Sequence, residues 1–100
     1  MIELGGNITL SGFSELDRDS LVIAKKIIGN YTKKISELKE KFESIQVTLK
    51  QVHETEKSSK NEIKVNVIIN GKPYNSEVTE RNLFMALDNA LNKVVSSISD

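Results

Sequence analysis

Residues 62–93 read EIKVNVIINGKPYNSEVTERNLFMALDNALNK, and this stretch decides the fold. Ile63, Val65, Val67 and Ile69 recur at every second position, the period of a strand with one buried face. Asn70-Gly71 follows, two residues tolerant of positive φ and the strongest short-range hairpin signal. A two-residue turn there pairs Ile69 with Lys72, Val67 with Tyr74, Val65 with Ser76 and Ile63 with Val78. That register sets Tyr74 and Val78 on the valine face, so turn chemistry and apolar pattern agree. Pro73 falls opposite Ile68 in a non-hydrogen-bonded pair, its missing N–H turned away from the partner strand. Proline is tolerated there only when nothing pairs on that side, so the last strand is predicted to be a sheet edge. Beyond it, Thr79 to Asn82 offer helix N-caps. Leu83, Phe84, Leu87, Ala90, Leu91, Val94 and Ile98 form the apolar face of a closing helix.

Toward the N-terminus, Ile2, Leu4, Gly6, Ile8 and Leu10 predict one strand over about residues 2–11, with Gly5-Gly6 bulging or fraying its start. A helix is expected from Asp17 to Lys41, because Leu21, Ala24, Ile28, Tyr31, Ile35, Leu38 and Phe42 step by three and four. Asp17 and Asp19 at its start and Lys39 and Lys41 at its end suit the helix macrodipole. Val22, Ile23 and Ile27 widen the apolar surface, and other parts of the fold are expected to cover them. Ile45, Val47 and Leu49 give a second strand near residues 44–52, and the polar run 53–61, HETEKSSKN, reads as a mobile loop. The order is β-α-β-β-β-α. A right-handed crossover places the first helix on one sheet face, and the second must cover the same face, because only one face of each strand is apolar. The expected fold is α+β: a two-layer sandwich of a four-stranded mixed sheet with both helices on one face.

One hundred residues make a single domain, 1–100, with room for one modest core. Fourteen basic residues balance fourteen acidic ones, so overall charge names neither a nucleic-acid nor a membrane partner. The chain has no cysteine, which removes disulfide frameworks and thiolate metal sites. No apolar run reaches the length of a membrane span, and a soluble cytoplasmic protein is expected. His53 is the only histidine. Glu54 and Glu56 beside it read as solvated loop charges rather than an orienting or ligating set. Asp88 has no second carboxylate at useful spacing. Phosphate loops, nucleophile elbows and metal-ligand spacings are absent, so neither catalytic residues nor a metal, cofactor or small-molecule substrate is expected.

What remains is where the charge sits. Between residues 25 and 41 stand Lys25, Lys26, Lys33, Lys34, Lys39 and Lys41 against Glu37 and Glu40. Lys26 and Lys33 lie opposite the apolar stripe and Lys34 on its flank, so a neutral chain can still present a local basic surface. A plain solvated helix face is the competing reading. The open sheet face is expected to display Asn7, Thr9, Gln46, Thr48, Lys50, Lys64, Asn66, Asn75 and Glu77, with no aromatic among them. Base stacking on the sheet, as in RNA-recognition motifs, is therefore disfavoured, and RNA contact falls to helix surfaces and phosphates.

Asn82 to Val94, NLFMALDNALNKV, resembles the last helix of the ribosome hibernation-promoting factors, also called ribosome-associated translation inhibitors. There an acidic or polar residue precedes a Leu/Met-aromatic pair. Ala, an aliphatic residue and Asp/Asn come next, and later Asp/Asn-Lys-aliphatic. Asn82, Leu83, Phe84, Ala86, Leu87, Asp88, Asn92, Lys93 and Val94 stand at those positions. Ser44 to Glu54, SIQVTLKQVHE, is similar to the family's second strand, and the element order matches along nearly the whole chain. The resemblance implies a protein that binds the small ribosomal subunit in the mRNA channel near the decoding site. It would block mRNA and tRNA, hold idle ribosomes inactive and need no cofactor. It also implies a basic patch on both helices, with Lys93 at a family lysine on a face shared with Asn82, Ala86, Asn89 and Ser96. The RNA-binding set is then Lys26, Lys33, Lys34, Arg81 and Lys93, the first three chosen on exposure. Where family members carry further basic residues one turn on, this chain has Ser96 and Ser97. Ending at Asp100, it corresponds to the short form, without a C-terminal dimerisation domain. The alternative is a protein-protein interaction or self-association module, a homodimer included. A double-stranded-RNA-binding domain fits less well, because its last helix would open on a lysine cluster rather than TERNLF.

Overall fold

The computed structural model describes residues 2–4, 7–55 and 58–99. Its elements run β1 (Ile2–Leu4), β2 (Ile8–Ser11), α1 (Arg18–Leu38), β3 (Phe42–Thr55), β4 (Ser58–Ile69), β5 (Lys72–Glu80) and α2 (Leu83–Ser99). The hairpin of β4 and β5 forms in the register that alternation and turn dictate, Ile69 facing Lys72, Val67 facing Tyr74 and Ile63 facing Val78. Asn70 and Gly71 both take positive φ, 52° and 76°. The turn is also tied down from outside, because the Asn70 N–H donates to the Lys41 carbonyl at 2.9 Å and the Gly71 N–H to the Glu43 carboxylate. β5 ends the sheet, and Pro73 sits opposite Ile68 as its missing donor requires.

The α+β, two-layer architecture and the four-stranded mixed sheet are present: β2 pairs parallel with β3, and β3, β4 and β5 pair antiparallel in sequence. The segment expected to form one strand over residues 2–11 instead divides. β1 folds back antiparallel on β2, Ile2 facing Leu10, and adds a fifth, three-residue strand at that edge. Gly5-Gly6 lies outside the described residues.

The polar run expected as a mobile loop, 53–61, is also corrected. The backbones of His53–Thr55 and Ser58–Asn61 continue β3 and β4 as paired arms, with Gln51 facing Asn61 and Thr55 facing Ser58. Hydrogen bonding replaces the missing apolar anchor: Asn61 is buried, accepts from the Gln51 amide at 3.3 Å and donates to the Arg81 carbonyl at 2.8 Å.

α1 opens on Asp17, whose carboxylate accepts from the Ser20 N–H at 3.1 Å. Hydrogen bonds from Ser20, side chain first and backbone second, hold the Asp17 carboxyl below the usual carboxylate range. The helix stops at Leu38 rather than Lys41: Lys39 is already extended (φ −133°), because the chain must straighten to enter β3 at Phe42. Lys39 and Lys41 are therefore outside the last turn, which holds no basic residue.

The core lies between sheet and helices. Ile45, Val47, Ile63, Val65, Val67 and Val78 rise from the sheet toward Ala24, Ile28 and Ile35 of α1 and Leu87, Leu91, Val94 and Ile98 of α2. Ile27 packs against this core, but Val22 and Ile23 remain 49% and 45% exposed, contrary to the expectation that the fold covers them. They occupy the turn of α1 next to its solvent side, where the sheet does not reach.

Candidate nucleic-acid interface

Topology sets the two helices side by side. β2, β3 and β5 point the same way, and each helix returns antiparallel to the strand before it, so α1 and α2 run parallel over one sheet face. Their seam is closed by a hydrogen bond from the Tyr31 hydroxyl to the Asp88 carboxylate at 2.6 Å. Burial first, then the Asp88 hydrogen bond and charge, push the Tyr31 phenol up to about 12. Asp88, which in sequence reads as a plain surface residue, thus has its oxygen engaged by a neutral donor rather than by a lysine.

Of the candidate cations, Lys34 stands beside this seam with Tyr31, and the others are spread over other exposed surfaces. Lys26 and Lys33 are exposed on the outer face of α1, seven residues and so two turns apart. Lys34 follows Tyr31 by three residues on the α2 side, and with Asn30 and Tyr31 it lines a cleft of about 150 Å³. Lys93 is exposed on α2, in a row with Asn89 and Ser96. Ala86, expected on that outward row, is fully buried. The row starts at Asn89.

Arg81 is exposed just before α2, at the end opposite its C-terminus. Twelve residues separate it from Lys93, roughly 18 Å along a helix. Among the described residues, no carboxylate lies within ion-pairing distance of Lys26, Lys33, Lys34, Arg81 or Lys93, whereas Lys64 meets Glu62 at 3.5 Å. Glu37 shares the surface of α1 with Lys33 and Lys34, one turn on from them, without reaching ion-pairing distance. Such a face offers long flexible ammonium groups to phosphate oxygens, the contacts that position a protein on RNA.

The opposite sheet face shows the polar side chains that alternation places there, none of them aromatic; Tyr74 is on the inner side, with the Lys72 ammonium 5.6 Å from its ring centre. Sequence reasoning missed the Tyr31–Asp88 pair and the Asn30 cleft. The pair spans 57 residues and leaves no local signal. Among the described residues no group of three or more His, Cys, Asp or Glu could hold a metal ion, and no helix is long and apolar enough to cross a membrane.

No protein-family model matches the sequence, and comparison with curated proteins finds no match. Solved structures do match in shape. A ribosomal subunit interface protein from Coxiella burnetii superposes with a TM-score of 0.61 at 14% identity, over 93% of this chain and 93% of that one. The N-terminal domain of Protein Y from Thermus thermophilus superposes with a TM-score of 0.56 at 12% identity, over 91% of each. The fold of this chain is the fold that these two proteins share.

Proposed function

We propose that this chain, as one domain, is a ribosome-associated translation inhibitor working in the cytoplasm. It binds small-subunit rRNA in the mRNA and tRNA channel and keeps idle ribosomes inactive by occupying that space. The observation that carries the reading is the shape match to a ribosomal subunit interface protein across nearly the full length of both chains. Two features support it: the NLFMALDNALNKV helix, and exposed lysines on both helices that have no ion-paired carboxylate among the described residues. Mechanism then reduces to positioning and exclusion. Lys26, Lys33, Lys34 and Lys93 hold phosphates, Arg81 makes a separate contact beyond the start of α2, and the folded body blocks the path. Nothing in the process requires bond chemistry.

The test is cosedimentation with small subunits. The chain is expected to pellet at low salt and to be released steeply as salt rises, because each phosphate neutralised liberates counterions. Replacing Lys33, Lys34 and Lys93 with Glu abolishes pelleting; undiminished pelleting of that variant removes these residues from the mechanism. A wild-type chain that stays in the supernatant at every salt concentration removes the ribosomal reading itself.

One observation favours a second reading, self-association: Val22 and Ile23 stand half exposed on α1, and Met85 is 56% exposed on α2. A concentration-dependent dimer abolished by Ile23→Glu, in a chain without affinity for RNA, selects that reading.

A further inference from the structure

The two edges of the sheet are finished differently. β1 ends one edge after three residues, whereas β5 leaves the other open over nine, paired with β4 in regular register and without a bulge. Natural sheets usually blunt a long flat edge with a lysine, a proline or a bulge. Here Lys72 and Pro73 stand at the very start of β5, and the rest of the strand is left unguarded.

Hydrogen-bond parity fixes which groups that edge offers. Pro73 faces Ile68 in a non-hydrogen-bonded pair, and at every second position Asn75, Glu77 and Thr79 stand in the same relation to β4. The backbone N–H and C=O of those three, and the C=O of Pro73, are therefore turned outward. No further strand takes them up.

The sequence of β5 says what fits there, because it complements its own reverse. Laid antiparallel about Ser76, the strand sets Lys72 opposite Glu80, Tyr74 opposite Val78 and Asn75 opposite Glu77. Opposed residues share a sheet face, so half-buried Tyr74 meets an apolar side chain and a lysine meets a carboxylate. Neither Lys72 nor Glu80 has an ion-pair partner among the described residues, and the Lys72 ammonium lies 5.6 Å from the Tyr74 ring centre. Other registers lose this match. Centred on Glu77, the strand opposes two carboxylates; centred on Asn75, it sets Lys72 against Val78 and Pro73 against Glu77.

We propose that β5 is a docking edge for a second copy of this chain, the two strands pairing antiparallel about a two-fold axis at Ser76. Asn75 and Glu77 of the second copy exchange both main-chain hydrogen bonds. The Thr79 N–H donates to the Pro73 carbonyl of the second copy, so the missing proline donor removes a bond only at the ends. The contact is isologous and closed, and both pairs of helices lie on the same side of the joined sheet. This edge is separate from the Val22 and Ile23 surface of α1 and the pairing needs no RNA, so it goes beyond the ribosomal reading and does not depend on it.

Sedimentation velocity of the full chain over a concentration series, without RNA, tests the pairing. A concentration-dependent dimer is expected, unaffected by Ile23→Glu. Lys72→Glu and Glu80→Lys each set like charges opposite one another and should weaken the dimer about tenfold. The double variant restores opposite signs and should recover it. Asn75→Pro removes an outward donor that β4 does not use, and should abolish the dimer while the monomer keeps its circular dichroism. Amide hydrogen exchange at Asn75, Glu77 and Thr79 should slow as concentration rises. A chain that stays monomeric at every concentration overturns the proposal. So does a dimer that survives a folded Asn75→Pro, one lost on Ile23→Glu, or a double variant no better than the single ones. If Asn75→Pro does not fold, the charge exchange and the three amides decide.

Discussion

The two helices divide the work of the molecule unevenly. α2 buries Ala86, Leu87, Ala90, Leu91, Val94, Val95 and Ile98, and its only charged residues are Asp88 and Lys93. α1 is longer yet buries Ala24, Ile28, Thr32 and Ile35, and it carries Lys25, Lys26, Lys33 and Lys34. One helix is a wedge that completes the core; the other is a carrier that holds cations at the surface. With fewer of its positions in the core, α1 depends on its ends and on α2 for its place.

The hardest test of that division compares core deletions with surface ones. Leu87 is fully buried, and Leu87→Ala should cost about 2–5 kcal/mol in denaturant unfolding, transfer and cavity contributions together. Ile23→Gln on α1, although it removes a large apolar side chain, should stay within about 0.5 kcal/mol, because Ile23 is half exposed. Equal losses at the two positions would mean that α1 is packed against something the isolated chain already contains.

A second test strikes the launch of α1. Gly12 has φ +81°, and a Cβ there would stand 2.0 Å from the Leu49 carbonyl oxygen. The left-handed backbone and the collision together should make Gly12→Ala cost about 2–3 kcal/mol. Phe13, fully buried beside it, and the Leu16 N–H bonded to the Phe13 carbonyl at 3.1 Å fix the direction in which the helix leaves the sheet. The variant should therefore loosen hydrogen exchange along α1 more than along α2. Uniform loosening of both helices would break the distinction between them.

How far the sequence anticipates these features depends on how local their causes are. The β4–β5 register was legible because alternation and Asn70-Gly71 act within a few residues and agree. The face of α2 was legible because its stripe is continuous. The pairing of His53–Thr55 with Ser58–Asn61 was not, since polar strands have no apolar period and Asn61 is held by the distant Arg81 carbonyl. Nor was the exposure of Val22 and Ile23, because a stripe shows which residues could be buried and not how wide the cover is. In the interface, the exposure of Lys26, Lys33, Lys34 and Lys93 followed from helical phase. On the open face the outward side chains were readable from the alternation of each strand.

The smallest expected effect lies at the contact between the helices. Burial first, and then the hydrogen bond to Asp88 and its charge, favour a neutral Tyr31 phenol in the folded chain, so its pKa rises from 10.0 to about 12. Because the folded value is raised, the stabilisation is complete below pH 10 and is lost as pH climbs from there toward 12. An ultraviolet titration should show one of the two tyrosines ionising late, and Asp88→Ala should bring that step back toward the ordinary value. At neutral pH Tyr31→Phe should cost only about 1 kcal/mol, since Asp88 is exposed and water can replace the lost donor. In freeing the Asp88 carboxylate, however, the same substitution leaves an unengaged negative charge at the seam beside Lys34. If lysines at this seam grip phosphate, Tyr31→Phe should weaken subunit binding more than it weakens the fold. A loss of binding matched by the loss of stability would assign Tyr31 to packing alone.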